Sequence, residues 1–151
     1  MERIVGQMLL AKKLTLGTME SYTGGFLANI LTNVPGSSKY FVGGLIAYND
    51  ASRVAFGIDP ECISRYGTIS TETCQAMATL ARKKLGTSIG LGVTGVMGPA
   101  EIEGKSIGTI FISLDDGEKT LNVSKNYPGN RLQIKQRAVT AALFELRRIL
   151  L

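Results

Sequence analysis

From Ser88 to Val93 the chain reads Ser-Ile-Gly-Leu-Gly-Val, a near-continuous apolar run too short for a helix and without the polar alternation of a half-exposed strand. A strand of that kind belongs in a sheet covered on both faces, so helices must flank it on each side. The flanking sequence supplies them. Residues 2–12 place Ile4, Val5, Met8 and Leu9 at the spacing of a helix with one buried stripe. Leu14–Met19 is β-rich, and Thr23-Gly24-Gly25 opens a second helix that runs to about Thr32. Val34-Pro35-Gly36-Ser37 breaks it. Phe41–Tyr48 is the next strand, and Gly43-Gly44 inside it predicts a bulge or a close backbone approach.

Two short helical pieces follow, around Asp50–Phe56 and Pro60–Tyr66. Ser70 is placed to cap a helix carrying Thr73, Met77, Leu80 and Ala81 on its buried face and ending at Gly86. Beyond Val93, Gly108–Leu114 and Lys119–Asn126 are strands joined by the hairpin signal Asp115-Asp116-Gly117-Glu118. A closing helix over Arg131–Leu150 buries Ile134, Ala138, Ala141, Leu146 and Ile149. The order α-β-α-β-α-α-α-β-β-β-α, with no repeat or linker inside its 151 residues, predicts a single domain over 1–151. Its expected fold is a three-layer α/β/α sandwich around a mixed, mostly parallel sheet of about five strands, with the hairpin supplying an antiparallel strand.

The chain contains no histidine. A Ser-His-Asp triad, a Cys-His pair and a histidine-ligated metal are therefore excluded, and no metal site is expected. Cys62 and Cys74 have neither CxxC spacing nor zinc-ligand partners. Spacing leaves a disulfide between them open, and two reduced thiols are the simpler reading. No apolar run approaches the roughly 18–20 residues of a membrane span, and the first residues lack the pattern of a signal peptide, so a cytoplasmic location is expected. The net charge of +5 gathers at Lys12-Lys13, Arg82-Lys83-Lys84 and Arg147-Arg148. Each cluster falls near the C-terminal end of a predicted helix, where cations complement the dipole. That placement disfavours a nucleic-acid surface, for which no motif is present, and remains compatible with a small anionic substrate.

In an open α/β sheet, chemistry gathers where strand ends meet helix N-termini. Glu20-Ser21-Tyr22-Thr23-Gly24-Gly25 presents a serine in a strand-to-helix turn followed by glycines. The arrangement suits a nucleophile over free backbone N–H groups, and it equally suits a plain helix cap with Ser21 or Thr23. Val93-Thr94-Gly95-Val96-Met97-Gly98-Pro99 is a second strand running into a glycine-rich turn, with Thr94 at the same sheet edge. In Tyr127-Pro128-Gly129-Asn130-Arg131, Asn130 is a good N-cap, but Arg131 puts a cation at the helix end that prefers anions. Either a ligand anion or a salt bridge to another loop answers that charge. Tyr48 through Arg53 adds a phenol and a guanidinium near the end of the second strand.

These segments, with Val34-Pro35-Gly36-Ser37-Ser38, Gly67-Thr68-Ile69-Ser70 and Gly108-Thr109, resemble the CinA C-terminal domain family in order and spacing, from about residue 5 to 147. The resemblance implies hydrolysis of the carboxamide of nicotinamide mononucleotide to nicotinic acid mononucleotide and ammonia. It implies Ser21 as nucleophile, backbone amides near Thr23, Gly24 and Gly25 as oxyanion donors, and Thr94 positioning the reacting group. Tyr48 and Gly95 would line the substrate pocket, and Arg131, from its charge and place, would bind the phosphate. No cofactor is implied, the partner is a small nucleotide, and a homodimer is expected. One departure concerns the chemistry directly: active relatives have a lysine where this chain has Arg53, a poor general base. Lys39 and Lys105 are other candidate bases away from that position. Tyr22 stands for the family's usual cysteine, and Ala100-Glu101 for glycines. The alternative expectation is accordingly a catalytically impaired relative that binds a nucleotide or a protein partner in the same pocket.

Overall fold

The computed structural model describes all 151 residues as α1 (Glu2–Lys12), β1 (Leu16–Glu20), α2 (Phe26–Thr32), a short 3-10 turn (Ser37–Lys39), β2 (Phe41–Ile46), α3 (Asp50–Phe56), α4 (Pro60–Tyr66), α5 (Thr71–Leu85), β3 (Ile89–Gly95), β4 (Thr109–Asp115), β5 (Thr120–Asn126) and α6 (Arg131–Leu150). The element order agrees with the sequence reading. The five strands form one mixed sheet in the order β2-β1-β3-β4-β5. β1 pairs in parallel with β2 and β3, whereas β4 runs antiparallel to both β3 and β5. Four strands thus share one direction. The antiparallel β3–β4 pair was hidden from the sequence reading because a long connection, not a tight turn, separates the two strands.

Alternation along β3 builds the layers. Ile89, Leu91 and Val93 enter the main core with Val5, Leu9, Leu27, Leu31, Ile134, Ala138 and Leu146 from α1, α2 and α6. On the other face are Gly90 and Gly92, directly beneath α5. A Cβ on Gly92 would lie 2.5 Å from the Cys74 carbonyl oxygen, and one on Gly90 would collide with that of Ala78. The missing side chains let α5 lie with its backbone almost on the sheet. On this same face, Met77 and Ala81 of α5 join Met19 of β1, Ala47 and Ile58 in a smaller core. On α1 the stripe is narrower than expected: Val5 and Leu9 are buried, but Ile4 is half exposed, because only one edge of this helix meets α6.

At Gly43-Gly44 both expected features occur. The β1–β2 register skips a residue between Leu16↔Phe41 and Gly17↔Gly43, and a Cβ on Gly44 would come within 2.7 Å of Thr18 Oγ1. Asn49, Ser70 and Asn130 each cap a following helix through the side chain. At the far end of the sheet, Asp115 accepts from Arg82 Nε at 3.0 Å, from the Gly117 amide at 2.7 Å, and from Thr79 Oγ1. Burial raises the pKa of this carboxyl, but those donors and the Arg82 charge outweigh it and hold the value below the ordinary 3.8. Both cysteines are unpaired, and no helix is long and apolar enough to cross a membrane.

Two outcomes follow. Gly90→Ala forces α5 off the sheet and lowers the unfolding free energy by about 1–3 kcal/mol or more, read from urea unfolding. Asp115 has a depressed folded pKa, so its stabilisation is present above the unfolded value and is lost as pH falls through the folded one. The difference between wild type and Asp115→Asn in urea midpoint is therefore full near pH 6 and shrinks once the pH falls below about 4.

Candidate functional site

β1 ends in Glu20, whose side chain is 1% exposed although the residue is an acid. Its carboxylate accepts from the Gly25 and Leu27 amides, each at 3.1 Å, and from the Ala28 amide at 2.9 Å. The cap of α2 is Gly25, which has no side chain to offer, so the preceding strand supplies the acceptor. This arrangement folds residues 21–25 into a tight turn. Ser21 N–H donates to Val93 O of β3 at 3.1 Å, and Gly24 N–H donates to Ser21 O at 3.0 Å.

The consequence corrects one expectation. The Gly24 and Gly25 amides are occupied by protein acceptors, and neither residue lines the pocket, so they are not free oxyanion donors. In this turn the Tyr22 and Thr23 amides are the ones that donate to no protein acceptor.

Across the turn stands α3. Its capping box, Asn49 with Ser52, fixes the helix start. Arg53, one turn in, is 2% exposed. Its Nη2 donates to Ser21 Oγ at 2.6 Å, and its Nη1 donates to Asp50 Oδ1 at 3.0 Å. Burial lowers the Arg53 pKa, and the Asp50 carboxylate opposes that shift. Asp50 is held in turn by Thr68 Oγ1, at 2.8 and 3.0 Å from its two oxygens. The Thr68 and Ile69 amides donate to Glu103 at 2.8 and 3.0 Å. A single chain of contacts thus runs from Glu103 through Thr68, Asp50 and Arg53 to the serine hydroxyl.

These groups surround a pocket of about 410 Å³ at the carboxyl ends of β1 and β3. β2 lies on one side of β1 and β3 on the other, so the pocket opens where the strand order reverses. Among the residues singled out from sequence, Ser21, Tyr48, Arg53, Gly95 and Arg131 line it. Thr23 and Thr94 do not: both are buried behind its wall, with hydroxyls that find no partner. Gly95 is a glycine of necessity, since a Cβ there would lie 2.9 Å from the Tyr22 ring. Tyr22 packs in the main core, and burial raises its phenol pKa well above 10.0.

Arg131 makes no ion pair; its Nη2 donates to the Gly98 carbonyl at 2.6 Å across the pocket. Lys105 stands 4.0 Å from Glu103, and neither it nor Lys39 lines the pocket. The lining residues that sequence reasoning missed altogether are Ile102 and Glu103, on a loop with no periodicity to mark them. No three His, Cys, Asp or Glu side chains are grouped to hold a metal ion.

The CinA C-terminal domain model matches residues 1–150. A protein of Desulforamulus reducens named as competence-damage inducible is 40% identical over 143 residues, covering 94% of this chain and 35% of its own length. A CinA-like protein of Frankia casuarinae is also 40% identical, over 99% of this chain and 35% of its own. The chain therefore spans about a third of these relatives. A solved CinA superfamily structure from Escherichia coli superposes with a TM-score of 0.95 at 25% identity, covering 98% of this chain and 87% of that one.

The Glu20 contacts predict a direct test. Glu20→Gln keeps the size but removes one acceptor oxygen from the α2 amides, and unfolding should become easier by roughly 2–4 kcal/mol. Thermal and urea melts check it.

Proposed function

The chain belongs to the CinA C-terminal domain family, and on that premise we propose that it hydrolyses the carboxamide of nicotinamide mononucleotide, giving nicotinic acid mononucleotide and ammonia. The observation that carries this reading is the 2.6 Å contact between Arg53 Nη2 and Ser21 Oγ beside the pocket. Ser21 Oγ adds to the carboxamide carbon, and its proton passes to solvent. Arg53, already against that oxygen, steadies the charge that develops on it. The Tyr22 amide, free of any protein acceptor on a residue that lines the pocket, is the donor available to the tetrahedral oxyanion. Collapse with a proton from water releases ammonia and leaves an ester on Ser21, which a second water hydrolyses to the acid.

Substrate charge agrees with the lining. The nucleotide carries a cationic ring and an anionic phosphate, and the pocket holds Asp50 and Glu103 together with Arg53 and Arg131. Its size suits a ligand of this class. The reading includes a homodimer in the cytoplasm and neither metal nor organic cofactor.

A second reading, binding without cleavage, is favoured by the same contact. Ser21 Oγ accepts from a guanidinium that has no lone pair to take its proton. Ammonia and nicotinic acid mononucleotide release, measured for wild type, Ser21→Ala and Arg53→Lys, separates the two. Hydrolysis by wild type that drops at least about 100-fold in Ser21→Ala supports the amidase. A silent wild type revived by Arg53→Lys identifies a pocket that arginine has switched off. Silence in all three folded proteins leaves binding as the function.

A further inference from the structure

We infer that this pocket holds a carboxylate in preference to a carboxamide, so that its tightest ligand is the acid: an aromatic carboxylate carrying a second anionic group. The inference rests on the same reading of the pocket, but not on its chemistry taking place.

A guanidinium has five N–H groups and no acceptor. In Arg53, Nη1 is taken by Asp50 and Nη2 by Ser21, which leaves three without a protein acceptor, and Nε among them is buried with no partner. The side chain is 2% exposed, so water has little access to these donors, and Arg53 is among the residues that line the pocket. A buried cation with unanswered donors beside a cavity is an anion site.

The neighbouring groups have the same polarity. Ser21 Oγ already receives a hydrogen bond from Arg53, so its own proton is free to be donated. The amide of Tyr22, which lines the pocket, is a donor without a protein acceptor. The nearest anion, Asp50, has both oxygens engaged, by Arg53 Nη1 and Thr68 Oγ1.

A carboxylate placed against this wall meets donors with both oxygens. A carboxamide meets them with one oxygen and one NH2, and the NH2 faces the Arg53 donors and charge; once Ser21 is replaced by Ala, as in the test below, no hydroxyl lone pair is left beside them to accept from it. Leaving such a group unpaired costs enough to separate the two ligands by about tenfold or more. Arginine makes the preference permanent, because it keeps its charge where a lysine can shed its proton. Arg131, which also lines the pocket and makes no ion pair, is the second cation such a ligand would use.

Calorimetric titration tests this with nicotinic acid mononucleotide and nicotinamide mononucleotide, which differ only in the group concerned. Wild type is titrated with the acid, and Ser21→Ala, which lacks the nucleophile and so leaves the amide intact, with both. The expected result is acid binding at least about tenfold tighter than amide binding to Ser21→Ala, and a preference abolished in the double variant Ser21→Ala/Arg53→Gln with its melting curve intact. Equal affinities, a tighter amide, no detectable acid binding, or a preference that survives Arg53→Gln would each overturn it. If the double variant fails to fold, Ser21→Ala/Arg53→Lys replaces it, and a preference no weaker than with arginine counts against the inference. Ammonia release from wild type is read separately: hydrolysis without acid preference sinks this inference alone, and acid preference without hydrolysis sinks the amidase alone.

Discussion

A carboxylate buried at the end of a strand governs this structure. Glu20 has almost no contact with water, and its two oxygens take three amides from the start of α2. A charge in that position is tolerable only because the helix presents several aligned N–H groups to it. Those bonds join β1 to the helix at its tip and leave residues 21–25 no slack. The serine hydroxyl consequently points from a turn fixed at both ends, and the helix dipole that elsewhere binds ligands is here answered by the protein itself.

Arg53 is the counterpart on the opposite wall. Its burial is unfavourable for a cation, and only part of that cost is offset, since Asp50 pairs with one side of the fork and a neutral hydroxyl meets another. An under-satisfied cation beside a serine hydroxyl suits an anionic species, whether developing during a reaction or brought by a ligand. The Glu103–Thr68–Asp50 contacts keep the guanidinium from reorienting toward a different acceptor.

The fold was legible because its strongest signals were local. The apolar strand through Val93, the helix caps at Ser70 and Asn130, and the hairpin after Asp115 each depend on neighbouring residues, and local patterns read well. Ser21 and Arg131 could be singled out because a serine before glycines and a cation at a helix start break the local rules, whereas Arg53 stood out through the family resemblance, as an arginine at the position of a lysine. The roles of Glu20 and Glu103 were not legible. Glu20 is read as the last residue of a strand unless one asks which acceptor serves a glycine-capped helix, and Gly25 was the available clue. Glu103 reaches amides 34 and 35 residues away from a loop without periodicity, so only the folded chain brings them together. Thr94 illustrates the reverse: its place at a strand end is right, yet the strand's alternation turns it behind the wall.

Glu103 grips the main chain of Thr68 and Ile69, not their side chains. The loop carrying Ile102 is thereby moored to a part of the protein that substitution does not alter. As far as that mooring is concerned, residues 68 and 69 are free to change identity without releasing it. The anchorage of that loop therefore tolerates changes that the site does not, since the Thr68 hydroxyl also holds Asp50 and Ile69 is packed in a small buried cluster.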